Sequence, residues 1–341
     1  MQTGAATNFP ALFFQQVENQ KEREALRRKE YGIWNSITWR EYGQRVREAA
    51  AGMLSLGAEP GDFIAILGDN RPEWLFCHLG AMTIGCVTCG IYPTSAPKGI
   101  HYVLSHSEAG ILFLQDEEQL DKIFEILPET SLKQVVVWDP KGLWGFSHQK
   151  IIFFDAFRDQ GVSYLKAHPN GVDERMAAID PEDTAMVIYT SGTTGPPKGA
   201  LISHKNILLV TESYMSVLPA DSSDEVISYL PFSHVMENLS SVFMGIHAGL
   251  TVNFVESLDT LAMNLREVSP TLFGSVPRVW EKFASAMEIK MADSTPLKKA
   301  LFRLAMAVAQ KRARGRLKGK NSISLNPVSY THLTLPTTPY V

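Results

Sequence analysis

Short apolar runs that alternate with stretches of helical spacing constrain the fold of this chain more than any other feature. Apolar positions recur at helical spacing over residues 39–56, and a turn at Pro60-Gly61 then leads into the run FIAIL. Asn70 is predicted to cap a helix that starts near Pro72. The later elements follow the same rhythm: strands CVTCGIY, AGILFL and QVVVW, and helices near 96–107 and 117–126. This alternation predicts an α/β fold with doubly wound, mostly parallel sheets and flanking helices.

A second run of the same kind follows residues 139–182, which we interpret as a loop-rich connection with one short helix around 153–159. The strand TAMVIYT is predicted at 184–190, followed directly by a glycine-rich loop and then a helix from about Ser203. The remaining predicted elements are strands near 225–230, 250–255 and 270–275 and helices near 235–247 and 258–268. The chain is therefore predicted to form two similar subdomains, residues 1–180 and 181–326.

Composition excludes several classes of protein. The 341 residues are 45% hydrophobic with a net charge of −4, which gives no overall attraction to nucleic acid or anionic lipid. Three cysteines are too few for a disulfide framework, and they favour a reducing cytosol. Cys86 and Cys89, with His78 nearby, are either a redox or metal pair or small apolar residues of a buried strand, and the strand is favoured. No apolar run is long enough to span a membrane.

A basic segment near the end of the chain leaves two interpretations open. Residues 298–320 hold nine Lys and Arg and no acidic residue, interleaved with apolar residues such as Leu301 and Leu304. A basic amphipathic helix of this kind lies on an anionic membrane surface in some proteins. In most proteins it is the solvated face of a packed helix, and we favour that second interpretation.

Residues 189–199, YTSGTTGPPKG, have the composition of a phosphate-binding loop. Glycines allow the backbone to approach a ligand closely, and the hydroxyls add hydrogen-bond donors. Lys198 adds a positive charge for phosphate oxygens. The segment is not the P-loop of GTPases, because Lys198 is preceded by proline and followed by glycine, so the hydroxyl that binds Mg²⁺ after the lysine is missing. We expect the loop to follow its strand and present backbone N–H groups to a polyphosphate.

The string YTSGTTGPPKG resembles the phosphate-loop signature of the adenylate-forming superfamily, which includes acyl-CoA synthetases and the adenylation domains of peptide synthetases. Further strings agree with the long-chain fatty acid–CoA ligase branch: GDNRPEWL, GIYPTSAPKGIHYVLSHSEAGILF, SHKNI, SYLPFSHVMEN and TLFGSVPRVWEKF. The similarity runs from about residue 8 to about residue 320. It implies a reaction in two steps, in which a fatty acid and ATP give acyl-adenylate and pyrophosphate, and coenzyme A then displaces AMP.

The resemblance also implies roles for individual residues. His234 matches a family histidine beside the substrate carboxylate, and Lys198 matches a lysine that contacts phosphate, so both are candidate catalytic residues. The candidate nucleotide-binding residues are Thr190, Ser191, Gly192, Thr193, Thr194, Gly195 and Lys198. Ser191 is the candidate ligand of Mg²⁺. Glu237 is interpreted as a cap or local partner rather than a catalyst, and Arg278 as either a phosphate contact or a structural residue.

The end of the chain departs from the family pattern. The acidic-aromatic nucleotide motif, the ribose-binding Asp, the hinge and the small domain with a catalytic lysine are not found before Val341. Residues 327–341 carry no Lys, Arg, Asp or Glu and are interpreted as a non-native or disordered tail. We therefore expect an N-terminal fragment without the C-terminal lid domain, inactive alone. The alternatives are a non-catalytic truncated nucleotide-binding module and an adenylation enzyme for another carboxylate.

Overall fold

The computed structural model describes residues 6–190 and 196–317. These residues fall into two compact units, of which the first ends at Phe273 and the second begins at Gly274. The strands are β1 Glu24–Glu30, β2 Ile33–Thr38, β3 Phe63–Leu67, β4 Val87–Ile91, β5 Ile111–Leu114, β6 Gln134–Val137, β7 Ile151–Phe153, β8 Thr184–Thr190, β9 Lys198–Ser203, β10 Glu225–Ser228 and β11 Thr251–Phe254.

Helices flank these strands. They are α1 Phe9–Gln20, α2 Trp39–Ser55, α3 Pro72–Thr83, α4 Pro97–Ser107, α5 Glu117–Phe124, α6 Phe154–Ala167, α7 Gly171–Ala177, α8 His204–Val217, α9 Val235–Glu237, α10 Met244–Ala248, α11 Leu261–Val268, α12 Pro277–Ala292 and α13 Pro296–Leu317. Short 3₁₀ turns lie at Leu127–Glu129 and Leu258–Thr260, and the π-helical stretch Asn238–Phe243 joins α9 to α10. The predicted α/β class, with flanking helices and mostly parallel sheets, is confirmed.

The larger sheet has seven strands in the order β7-β6-β5-β3-β4-β8-β9, and all neighbouring pairs are parallel except β8 with β9. Its central strands are largely buried because apolar clusters cover both faces: β5 is buried along its whole length, and β3 and β4 are each buried at four of five residues. The predicted boundary near residue 180 stays a prediction. Strands β8 and β9 follow that position and extend the sheet built by strands that precede it.

The smaller sheet has the order β10-β11-β1-β2. Strand β1, near the start of the chain, pairs in parallel with β11, which in turn pairs in parallel with β10. Strand β2 completes a hairpin with β1. A strand was predicted at 270–275, but the structure has only a single bridge there, between Leu272 and Val226.

Residues 139–182 are more regular than predicted. They contain strand β7 and the two helices α6 and α7, not one short helix. Helix α6 packs closely on α2, since a Cβ on Gly52 would come within 2.6 Å of the Phe157 ring and one on Gly161 within 2.1 Å of the Glu48 carbonyl oxygen. Glycine within a helix normally weakens the sequence signal for that helix, and here it serves tertiary packing.

One local prediction around the loops is wrong, and one strand there was missed. Asn70 does not cap α3, because Arg71 occupies the capping position and makes no side-chain cap, while the Asn70 amide bonds elsewhere. The helix predicted from about Ser203 is confirmed as α8, which begins directly after Ser203, whose hydroxyl accepts from the Asn206 N–H. The missed strand is β9, which lies between the glycine-rich loop and α8 and pairs antiparallel with β8.

The cysteines behave as core residues. All three are free and buried, and burial raises the pKa of Cys86 and of Cys89 to about 12. Within residues 6–190 and 196–317, no group of three or more His, Cys, Asp or Glu side chains is arranged to hold a metal ion. Cys89 lies in β4 and Cys86 directly precedes that strand, so the interpretation of this pair as part of a buried strand segment is confirmed for Cys89, whereas Cys77 lies in α3.

In the part of the second unit that the structure describes, residues 274–317, the helices are α12 and α13. Helix formation in the basic segment is confirmed up to Leu317, and the predicted tail at 327–341 lies outside the described residues. Leu297, Leu301, Leu304 and Val308 recur on one side of α13 and are exposed. Among the helices that the structure describes, none has the length and apolar content that a membrane crossing requires.

Candidate active site

The carboxyl ends of three neighbouring parallel strands define one edge of the larger sheet. Strands β3, β4 and β8 lie side by side and run in the same direction. Strand β8 reaches this edge at Thr190, where the phosphate-loop sequence begins. In open α/β sheets this edge is where ligands bind, because the loops that follow each strand converge there.

The β8–β9 hairpin fixes the two ends of the loop. Thr190 and Lys198 are directly opposite each other across the hairpin, and both are exposed. The sequence placed Lys198 after the loop, and the antiparallel pairing returns it to the level of Thr190. The other predicted nucleotide-binding residues, Ser191, Gly192, Thr193, Thr194 and Gly195, lie outside the described residues, and so does the predicted Mg²⁺ ligand, Ser191.

His234 lies at the end of the turn that follows β10. It occupies the N-cap position of α9, where its Nδ1 accepts from the Met236 N–H at 3.2 Å. An accepting Nδ1 carries no proton, so in the neutral ring the proton is on Nε2. The ring is half-buried, which leaves it room to meet a ligand.

The turn that carries His234 meets the larger sheet at β4. A Cβ on Gly90 would come within 3.0 Å of Ser233 Cα and within 3.3 Å of the Trp74 ring, so the close approach requires glycine at this position. Strand β4 is the sheet neighbour of β8, and Cys89 is in register with Val187. The structure thus brings the histidine turn to the same edge as the start of the phosphate loop.

Comparison with known proteins decides the family. Residues 13–321 match the family described as AMP-binding enzyme. The chain belongs to the AMP-binding enzyme family. It is 31% identical over 325 residues to long-chain-fatty-acid–CoA ligase ACSBG2 of Homo sapiens, covering 94% of this chain and 48% of that protein. It spans about half the length of the curated relatives it matches.

Solved structures have the same fold. The anthranilate CoA ligase AuaEII in complex with anthranoyl-AMP superposes with a TM-score of 0.68 at 20% identity, covering 80% of this chain and 50% of that chain. The N-terminal domain of FACL13 from Mycobacterium tuberculosis gives 0.66 at 21% identity, covering 80% and 64%. At these identities the likeness establishes the adenylate-forming fold of this AMP-binding enzyme.

Two residues on α4 of this AMP-binding enzyme bind the β8–β9 hairpin by hydrogen bonds, and sequence reasoning missed both. The Tyr102 hydroxyl donates to the Pro197 carbonyl at 2.8 Å, directly before Lys198. The His106 Nδ1 lies 2.8 Å from the Tyr189 hydroxyl, on the strand that enters the loop. Burial raises the pKa of Tyr189 to about 12, so its hydroxyl keeps its proton. Both α4 residues lie in the string GIHYVLSHS, which carried the resemblance but gave no role to either.

Glu237 is a local structural partner, which agrees with one of the interpretations of the sequence. Its carboxyl accepts from the Leu230 N–H at 3.1 Å and from the Ser241 hydroxyl at 2.6 Å. Burial raises the pKa of Glu237 to about 7, although hydrogen bonds from Ser228, Ser241, Leu230 and Tyr229 act in the opposite direction. Arg278 is the second residue of α12 in the second unit, directly after Pro277.

Proposed function

We propose that this chain is the N-terminal part of a long-chain fatty acid–CoA ligase, which activates a fatty acid with ATP and transfers it to coenzyme A. The observation that supports this most directly is that the phosphate-loop sequence starts at the end of β8, at the carboxyl edge of the larger sheet of an AMP-binding enzyme. Relatives named long-chain-fatty-acid–CoA ligase at 31% and 32% identity support the substrate class.

In the first step a carboxylate oxygen of the fatty acid attacks the α-phosphorus of ATP, and the bond to pyrophosphate breaks. In the second step the thiol sulfur of coenzyme A attacks the acyl carbon, AMP leaves, and the thiol proton is lost. The protein's contribution to the first step is alignment and charge neutralisation. Lys198 supplies a cation and Thr190 a hydroxyl beside the polyphosphate, and Mg²⁺ held at Ser191 would neutralise phosphate charge.

His234 is suited to orient the acyl group. With Nδ1 bound to the Met236 N–H, its Nε2–H is available to donate to an oxygen of the fatty carboxylate or of the acyl-adenylate. A donor held by the backbone needs little rearrangement when charge develops on that oxygen. We assign His234 to this contact and Lys198 to the phosphates.

ATP–pyrophosphate exchange tests the proposal. Octanoate, palmitate and benzoate are compared on the 341-residue chain and on the longest product of its gene. Exchange that depends on palmitate is expected for the longer product, and none for the 341-residue chain. Preference for benzoate would favour an enzyme for another carboxylate, and ATP binding without exchange in both proteins would favour a non-catalytic nucleotide-binding module.

Most large apolar side chains of α13 are exposed, unlike those of the packed helix favoured from the sequence, and we therefore also propose a cytosolic protein that contacts membranes peripherally through α13. The exposed side chains of Leu297, Leu301 and Leu304 lie among six basic side chains of the same helix that the structure describes: Lys298, Lys299, Arg303, Lys311, Arg312 and Arg314. Apolar residues that insert and cations that attract anionic headgroups are the two components of interfacial binding. The presumed substrate, a fatty acid, partitions into the same surface.

Vesicle sedimentation tests this contact. Binding to phosphatidylserine vesicles, weakened by salt and absent with phosphatidylcholine, is expected. Reversal of two charges on α13, Lys298→Glu with Arg303→Glu, should abolish it. The matched pair on α12, Lys282→Glu with Lys290→Glu, should leave it intact. An equal loss of vesicle binding in both double variants, or binding that does not depend on lipid charge, would contradict a role for α13.

A further inference from the structure

The turn between β10 and α9, residues 229–234, is held by side chains rather than by a sheet or a helix. It carries His234 at its end and is enclosed, with Phe232 and Ser233 buried. Phe232 stacks on Trp74 with ring centroids 4.8 Å apart and meets the edge of Phe254 at 6.1 Å. A buried turn needs partners for its backbone polar groups, because an unpaired buried amide is costly.

Two of these partners come from the helix that follows the turn. The Glu237 carboxyl accepts from the Leu230 N–H. The Asn238 side-chain amide donates to the Phe232 carbonyl and, at 3.4 Å, to the His234 carbonyl. These bonds join residues four to seven positions apart in the sequence. They therefore fix the shape of the turn relative to the helix that follows it, but they do not tie the turn to the larger sheet.

The third partner comes from the larger sheet. Asn70 lies three residues after the end of β3, and its Nδ2 donates to the Leu230 carbonyl at 2.6 Å and to the Ser228 hydroxyl at 2.8 Å. Its Oδ1 accepts from the Phe232 N–H at 3.1 Å. One amide therefore uses both its donor and acceptor atoms on the turn, across about 160 residues of sequence.

We propose that Asn70 is a positioning residue for His234, setting where the histidine stands relative to the carboxyl edge of the larger sheet. This rests on the proposed function, in which that edge receives the adenylate. Glu237 and Asn238 shape the turn, and Asn70 ties the shaped turn to the loop that leaves β3. The capping role predicted for Asn70 is not used, and its side chain is committed to this tie instead.

Asn70→Asp and a matched control test the proposal. Aspartate keeps the acceptor for the Phe232 N–H but loses the donors to Leu230 and Ser228. Asn253→Asp is the control, because Asn253 is also a buried amide that donates to a β10 carbonyl, that of Val226, at 3.0 Å, and it makes no bond to the turn. On the longest product of the gene, Asn70→Asp should lower the kcat of palmitate-dependent exchange about 10- to 100-fold. Asn253→Asp should change kcat by less than about threefold at a similar loss of stability.

A double-mutant cycle separates this inference from the proposed function. If Asn70 acts through His234, Asn70→Asp should have little further effect in a His234→Ala background. Fully additive losses, or equal kcat losses in Asn70→Asp and Asn253→Asp, would overturn the positioning role while leaving the ligase proposal intact. If His234→Ala has no effect on exchange, the roles of His234 and of Asn70 both fail while the ligase proposal stands, whereas the proposed function itself fails if the unmodified protein shows no palmitate-dependent exchange.

A readout without activity completes the test. Amide hydrogen exchange at Phe232 and Met236 reports the tie to Asn70 and the cap made by His234. Both amides should exchange at least tenfold faster in Asn70→Asp than in Asn253→Asp. Unchanged protection at Met236 would show that the histidine keeps its place without Asn70 and would refute the proposal even in an inactive protein.

Discussion

The segments that follow strands β8 and β10, called here the β8 exit and the β10 exit, both position residues expected to contact a ligand, but they do so in different ways. Each strand is parallel to a neighbour and ends where ligand-contacting residues are expected. The β8 exit ends in exposed residues, Thr190 and Lys198, which are paired across a hairpin and supported from α4 by Tyr102. The β10 exit is buried and bound by the side chains of Asn70, Glu237 and Asn238. The first presents charge to solvent, and the second presents one imidazole in a fixed orientation.

The two exits suit different groups of the ligand. A polyphosphate is large and highly charged, so it is recognised by an exposed cation and many donors. A carboxylate beside a reacting phosphorus requires one donor held in one place. We therefore expect substitutions at the β10 exit to reduce the rate of the chemical step and substitutions at the β8 exit to weaken nucleotide binding as well.

His234→Ala should have the largest effect, a fall of about 100- to 1000-fold in the kcat of exchange. His234→Asn is the informative companion, because its carbonyl oxygen can still accept from the Met236 N–H as a helix cap while the imidazole is gone. A comparable loss in both variants assigns the effect to the ring. If His234→Asn keeps normal activity, His234 serves only as a cap.

Glu237 predicts a pH dependence at the buried exit. Its pKa is raised from 4.5 to about 7, so between these values the folded protein binds a proton that the unfolded chain releases. The stability that Glu237 contributes is therefore full below about pH 4.5 and falls as pH rises to about 7, by about 3 kcal/mol. Glu237→Gln should remove this dependence, so the stability of the variant relative to wild type should rise over that interval in urea unfolding. A constant difference would contradict a buried protonated carboxyl.

Lys198→Ala tests the exposed exit. Loss of a charge-assisted phosphate contact should cost about 2 kcal/mol of transition-state stabilisation, near 30-fold in kcat/KM for ATP, with little change in thermal unfolding. Lys205→Ala is the control, since Lys205 is exposed and paired with Glu182 away from the hairpin end. A similar loss in both would indicate a general charge effect rather than a phosphate contact.

Sequence reasoning predicted the strands of the sheet edge well, because FIAIL is apolar throughout, TAMVIYT is apolar between its terminal threonines, and both are bounded by turn residues. It missed β9 because KGALIS is half-exposed at the edge of the sheet and carries no clear pattern. It missed most of α6 because Gly161 weakens the helical signal, and the reason for Gly161 is the backbone of α2, more than a hundred residues earlier.

The residues of the candidate site also divide into those that the sequence predicted and those that it missed. The resemblance selected His234 and its contact with a carboxylate, whereas the charge of Lys198 in a loop rich in glycine and hydroxyl residues already suggested a phosphate contact. The sequence could not show that Asn70, followed closely by proline and thus typical of a helix cap, bonds instead to a turn about 160 residues away. Side chains that act across such distances leave no local pattern, which is also why Tyr102 and His106 were missed.

Tyr102→Phe should give the smallest effect and decides whether the exposed exit needs its support. The change removes one hydrogen bond of 2.8 Å to the Pro197 carbonyl and keeps the ring, so the cost is about 1 kcal/mol. Because this carbonyl adjoins Lys198, we expect a three- to fivefold rise in KM for ATP with kcat nearly unchanged. Tyr164→Phe, on α6 where the ring stacks on His168, should leave KM unaltered. If Tyr102→Phe lowers thermal stability without changing KM for ATP, then the pairing of β9 with β8 places Lys198 without support from α4. In that case the β8 exit depends on backbone pairing alone, whereas the β10 exit depends on side chains.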